Sequence, residues 1–295
     1  MKKKILSLIT AFLAALLLLS AIPAAAVFAD DENAVVVVGA DLTDEQIDSV
    51  YAMFGIERGS LEELTLTNAE ERAALQGFVD EKLIGTYSIS CVYVRLLPEG
   101  SGLSVRTRNI TWCTAEYYQN ALGTAGITDA EIFVAAPVEV SGTAALAGIY
   151  KAYEHLRGRG LNDEAKDAGT QELGVTGEVA EETGQKDAAG IVSELKSLLG
   201  ETEGMTDDEL QQTIRSVAGR YHVTLSDENV ARLAELCRSL ERLDIEGLQQ
   251  KAEDARETIE QIEEKKDEIV GFYQKVRSFF ESVSDFFARV RSLFG

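Results

Sequence analysis

The chain has 295 residues, 45% of them hydrophobic and 26% charged, which is ordinary content for a folded protein. Lys and Arg total 28 against 50 Asp and Glu, a formal charge of −22. Such a surface repels phosphate backbones, so no nucleic-acid partner is expected.

Residues 1–29 read as a secretory signal peptide. Lys2, Lys3 and Lys4 are followed by the apolar run Ile5–Leu19, then by small residues from Ala21 to Ala29. Cleavage after Ala26 or Ala29 fits, and Ala29 is preferred because Asp30-Asp31-Glu32 then opens the mature chain. Without its three leader lysines the mature protein is near about −25. The expected location is secreted or envelope-associated.

Residues 30–158 are expected to form a mixed α/β domain. Ala34–Gly39 is continuously β-branched and reads as a buried strand. Thr43-Asp-Glu-Gln46 is a capping box opening a helix to about Met53. A strand over Leu61–Thr67 and a helix from Asn68-Ala-Glu-Glu71 to about Phe78 follow. Tyr87–Leu96 and Leu103–Cys113 are β-prone runs, and Pro98–Gly102 between them predicts a hairpin. Thr114 caps a helix to about Gly123. Glu131–Ala136 is a further strand, stopped at Pro137. Ser141 or Thr143 caps a helix to about Arg157.

After Gly158 the composition turns polar and glycine-bearing. Residues 159–186 read as a linker or loosely packed helical segment, with a short helix from Asn162 to Leu173. Residues 187–243 read as helical, over 187–199, 206–219 and 226–243. Residues 244–295 carry a heptad seam of the coiled-coil kind, from Leu248 to Phe294. The expected fold class is α+β: a mixed β-sheet with packed helices in the N-terminal half, then an all-helical region ending in a long amphipathic helix.

Several stretches resemble the YpuA-like family of secreted Gram-positive bacterial proteins. They are Val38-Gly-Ala-Asp-Leu42, Thr65-Leu-Thr-Asn68, Gly85-Thr-Tyr-Ser-Ile-Ser90 with Val92-Tyr-Val94, Asn109-Ile-Thr-Trp112, and Ala135-Ala-Pro-Val138 with Ser141-Gly-Thr-Ala-Ala-Leu146. The family is a domain of unknown function. The resemblance implies an extracytoplasmic setting and brings no reaction or catalytic residue.

Candidate chemistry is sparse. The cysteines are Cys91, Cys113 and Cys237, an odd count. The predicted hairpin sets the first two about four residues out of register, beyond disulfide reach, so buried free thiols are expected. With two histidines, His155 and His222, and no Gly-x-Ser-x-Gly elbow, neither a Ser–His triad nor a zinc site is expected. No metal or cofactor is assigned.

Three features are candidates for ligand binding. Ser141 and Thr143 flank Gly142 at a strand-to-helix turn whose amides suit an anion. Arg95, Arg106 and Arg108 gather on the predicted hairpin of an acidic protein. Trp112, the one tryptophan, offers a stacking platform for a sugar or peptide. Each also has a plain structural reading: a cap, a solvated strand, a buried ring.

The C-terminal segment is the sharpest feature. Phe272, Val276, Phe279, Phe280, Val283, Phe286, Phe287, Val290 and Phe294 make up an aromatic and aliphatic face bordered by Lys275, Arg277, Arg289 and Arg291. Such a face suits a protein partner, a second copy of the chain, or an anionic membrane surface. Two classes of function follow. One is a non-enzymatic envelope protein that docks through this helix. The other is an extracytoplasmic hydrolase of wall carbohydrate or peptide using paired carboxylates. The scarcity of chemistry-bearing residues favours the first.

Overall fold

A computed structural model describes residues 32–243 together with Gly247 and Leu248. Residues 1–29, read as a signal peptide, and the Phe272–Phe294 face lie outside the described residues.

Chain order is β1 (Ala34–Gly39), α1 (Asp44–Phe54), β2 (Glu62–Leu66), α2 (Asn68–Leu75), α3 (Glu81–Ile84), β3 (Cys91–Leu96), β4 (Leu103–Ile110), α4 (Ala115–Thr124), β5 (Ala130–Val140) and α5 (Thr143–Arg157). Among the described residues only helices follow: α6 (Asp163–Thr183), α7 (Gln185–Ser197), α8 (Leu199–Thr202), α9 (Asp207–Arg220) and α10 (Asp227–Leu240). The fold is α+β, with a mixed sheet in the N-terminal half and mostly helices after residue 160.

The sheet order is β2-β1-β3-β5-β4. The expected hairpin is corrected here. β3 and β4 are not neighbours, because β5 lies between them, antiparallel to β3 and parallel to β4. Glu131 of β5 is flanked by Arg95 on one side and Ser104 on the other. Burial explains the choice. Val92, Val94, Ile132 and Val134 are fully buried and belong at the centre, whereas Arg106 and Arg108 are exposed and suit an edge. The Pro98–Gly102 turn spans two strand spacings, roughly 9.6 Å. That gap also separates Cys91 from the β4 side, and Cys91, Cys113 and Cys237 are all free and buried.

β5 runs past Pro137 to Val140. Proline is tolerated because the ladder to β4 slips between Arg108 and Ile110. Asn109 takes up the slip with φ 59°, and its Nδ2 donates to the Ala136 carbonyl at 2.7 Å.

Strand alternation gives the sheet two faces. Val35, Val37, Val92, Val94, Val105, Ile132 and Val134 pack under α4 and α5 in one core. The opposite face carries α1, where Phe54 meets Tyr93 and Phe133 at ring distances of 6.2 and 5.3 Å. A second core joins α6, α7, α9 and α10 through Val179, Ile191, Ile214, Leu233 and their neighbours.

α6 borders both cores. Its extent differs from the expected short helix, for it continues ten residues beyond Leu173. Gly169, Gly174 and Gly177 lower intrinsic helix propensity, yet each sits where a side chain would collide. A methyl group on Gly169 would lie 2.4 Å from the Ala121 carbonyl oxygen, and one on Gly174 would lie 2.1 Å from that of Phe78. On Gly177 it would stand 1.9 Å from the Trp112 ring. The glycines let α6 press against α4, the α2–α3 segment and Trp112, and packing outweighs propensity.

Glu172 of α6 and Lys196 of α7 form a fully buried ion pair, with Lys196 Nζ 3.0 Å from Glu172 Oε1. The same Nζ donates to the Asn120 carbonyl at 3.1 Å and to Thr124 Oγ1 at 2.9 Å, while Thr124 donates to Glu172 Oε2. All three ammonium protons and both carboxylate oxygens are therefore used, and three helices are pinned together. Lys196→Met strands the Glu172 carboxylate, and urea titration should show a loss of about 3–5 kcal/mol. Adding Glu172→Leu should recover most of it, because removing both charges also removes the desolvation cost.

Gly177→Ala should destabilise the fold and shift the Trp112 fluorescence maximum. An unchanged emission spectrum and midpoint would show that the ring does not rest on this glycine.

Candidate functional site

The Ser141-Gly142-Thr143 turn is the best-defined polar site, and it is built differently from a capped helix start. The N-cap of α5 is Gly142, at φ 94°, with no side-chain cap hydrogen bond. Ser141 and Thr143 turn their hydroxyls instead toward the Leu83 carbonyl, at 2.9 and 3.0 Å. Neither serves as the cap expected from the sequence. Gly142 is required here on two counts: its left-handed φ, and crowding that would put a Cβ 2.5 Å from the Ile110 side chain. Its carbonyl accepts from the Tyr118 hydroxyl at 2.5 Å.

The place an anion would take near this turn is held by the chain's own Glu71, which is 1% exposed. Thr143 Oγ1 lies 3.1 Å from Glu71 Oε1, and Asn68 Nδ2 donates to Oε2 at 3.3 Å. Asn68 is in turn held by Arg72, which also pairs with Glu81 and donates to the Gly85 carbonyl. Sequence reading assigned Glu71 to a capping box. The box is one residue earlier: Thr67 and Glu70 cap each other, which frees Glu71 to point inward. Glu70 thus carries the capping role that the sequence reading gave to Glu71.

Burial pushes the Glu71 carboxyl up to about 7, against lowering by Thr143, Asn68 and Arg72. Asp41 adds to the rise. Nearby, burial pushes the Cys113 thiol up to about 12 and raises Tyr118 as well. The Thr143 hydroxyl has one proton and two acceptors, the Glu71 carboxylate and the Leu83 carbonyl. Ionised Glu71 takes that proton. Protonated Glu71 donates to Thr143, which then donates to Leu83. One site therefore has two complete hydrogen-bond arrangements.

The sign of the pH effect follows. Folded Glu71 keeps a proton that the unfolded chain releases above the ordinary carboxylate value of 4.5. Its contribution to stability falls as pH rises from there to about 7 and stays low above it. Glu71→Gln should remove this slope. Relative to wild type it should gain on the order of 2 kcal/mol in going from pH 5 to pH 8, read from urea midpoints.

Arg95, Arg106 and Arg108 do share the α1 face of the sheet. Two of them are already occupied: Arg95 and Arg106 both bind Glu131, at 2.5 and 3.0 Å. Arg106 also lies 4.7 Å over the Phe133 ring. Arg108 meets no carboxylate among the described residues. Trp112 is half-buried and packs on Gly177 with the sheet core, so its ring is covered where a platform would be open.

Sequence reading did not find the clefts, since their walls come from distant segments. A cleft of about 860 Å³ opens between α4 and α7, with Asn120, Gln185, Ser193, Ser197 and Glu194 on its walls and Tyr221 at one side. The Tyr221 ring rests on the bare backbone at Gly190, where a Cβ would lie 2.6 Å from it. The lining is hydrogen-bonding and mixed in charge. Among the described residues no group of three or more His, Cys, Asp or Glu is arranged to hold a metal. No described helix is long and apolar enough to cross a membrane.

A buried carboxylate node, a mixed sheet and a glycine-notched helix define the described part of the chain. The family model described as "Protein of unknown function (DUF1002)" matches residues 38–286, and the chain belongs to this family. It is 32% identical over 244 residues to the uncharacterized protein YpuA of Bacillus subtilis (strain 168), across 82% of this chain and 81% of that one. No solved structure matches at a significant level.

Proposed function

We propose that the chain is an exported cell-envelope or extracellular protein that works by binding rather than by catalysis. The observation that carries this reading is the inward commitment of its reactive groups. Ser141 and Thr143 serve the Leu83 carbonyl, Glu71 is sealed beneath them, and Arg95 and Arg106 are held by Glu131. The thiols are buried, and burial pushes each up to about 12, which keeps them as poor nucleophiles. A carboxylate hydrolase needs two acids facing a substrate. Glu71, the one described glutamate with a carboxyl pushed up to about 7, is closed off from any sugar.

Export is supported by the leader-like layout of residues 1–29. Docking through the C-terminal helix to a partner, a second copy or a membrane surface is supported by the aromatic face of 272–294 and its cationic borders. The 860 Å³ cleft is a suitable second contact, because its polar walls and one aromatic ring match a sugar or peptide.

Two measurements test the reading. N-terminal sequencing of the exported product should find a start at or near Asp30. Flotation with anionic liposomes should recover the full chain and lose it when the chain ends at Gly271. Equal recovery of both would eliminate lipid docking by this segment, and sedimentation of the same pair would then show whether it holds a second copy.

A further inference from the structure

A groove of about 550 Å³ lies between the end of α5 and the start of α6, bounded on one side by the chain after α10. Its walls carry Arg157, Arg159 and Arg242, with Tyr153, Asn162 and Glu164 beside them. These arginines are unusual in this protein. Every other described arginine except Arg108 meets a carboxylate. Among the described residues an arginine without a carboxylate is the exception, and three of the four exceptions line one groove.

Each guanidinium is available. Arg157 stacks 5.2 Å over the Tyr153 ring, which fixes its plane and leaves its edge donors free. Among the described residues Arg242 donates only to Ser239 Oγ, at 3.0 Å. Arg159 lies exposed in the turn between Gly158 and Gly160. We infer that this groove binds a compact phosphate-bearing anion, such as a pyrophosphate or a phosphate ester.

The size and charge of the ligand follow from magnitudes. Three guanidiniums against one exposed glutamate call for at least two negative charges. The forked donors of arginine match phosphate oxygens in pairs. A groove of about 550 Å³ holds a small molecule. An extended polyanion would have to lie across a protein of formal charge −22, whereas a compact one is screened from most of it, since the Debye length is about 8 Å at physiological salt. The inference does not rest on the non-catalytic reading above or on the Phe272–Phe294 face; Leu248, the first residue of the heptad seam, stands among the groove's lining.

Calorimetric titration of the full chain with sodium pyrophosphate tests the inference, with citrate as a carboxylate of similar charge. Pyrophosphate should bind, more weakly as salt rises, and more tightly than citrate. The Arg157→Gln/Arg159→Gln/Arg242→Gln variant should bind at least about tenfold more weakly. Arg159→Gln alone, at an exposed side chain, should weaken binding several-fold. Arg108→Gln, which removes the remaining described arginine that meets no carboxylate, should bind as wild type does. Phosphatidylglycerol vesicles form a second arm, with the chain ending at Gly271: recovery that is lost in the triple variant assigns the phosphate to a lipid headgroup, and binding of pyrophosphate alone assigns it to a soluble ester. Undiminished pyrophosphate binding by the triple variant, an equal loss in Arg108→Gln, or citrate binding as tightly as pyrophosphate would each overturn the assignment.

Discussion

The buried pair between Glu172 and Lys196 is the interaction on which the arrangement of the two cores depends. Removing two charges from water costs several kcal/mol per ion, and only complete satisfaction of their hydrogen bonds offsets it. That completeness needs the Asn120 carbonyl and Thr124 from α4, Glu172 from α6 and Lys196 from α7, all in place at once. A slide of any one helix by a turn would strand a charge. Apolar packing alone would tolerate several such slides, because α6 is rich in alanine, glycine and threonine and presents few large knobs. The pair therefore specifies register where the hydrophobic surface specifies it weakly.

The glycines of α6 are the complement of this constraint. Bringing three backbones close enough for one ammonium group to touch two helices and a carbonyl requires small residues at the crossings. Gly169 under the Ala121 carbonyl is one of them. The polar, glycine-bearing stretch that looks like a linker is in this way a packed helix that borders both cores. Polarity at Thr170, Glu172 and Thr176 marks internal hydrogen bonds rather than solvent.

Much of the fold was legible where local chemistry decides it. Thr43 with Gln46 forms the expected capping box, Thr114 caps as expected, and Ala34–Gly39 is a buried strand. What could not be read depends on partners distant in sequence. The turn after β3 promises a hairpin, but which strand fills the middle is decided by the burial of Ile132 and Val134. The one-residue shift of the α2 box looks trivial along the chain, yet it sends Glu71 rather than Glu70 into the interior. The arginine groove was invisible for the same reason: Arg157 and Arg242 are 85 positions apart, and neither sits in a recognisable motif. Only Ser141 and Thr143 were flagged beforehand at the node, for their position at the turn, and their actual partners are a carbonyl and a carboxylate from a different part of the chain.

The split between β3 and β4 has a consequence for how the molecule is made. The strand that completes the centre of the sheet is synthesised last of the five. Until residues 130–136 are available, β3 and β4 are joined by a short turn, and the two strand edges that β5 will cover are left unpaired. The nascent chain must hold that slot open, or reopen it, before its keystone arrives. Assembly order, rather than final stability, is then the hazard that this topology builds in.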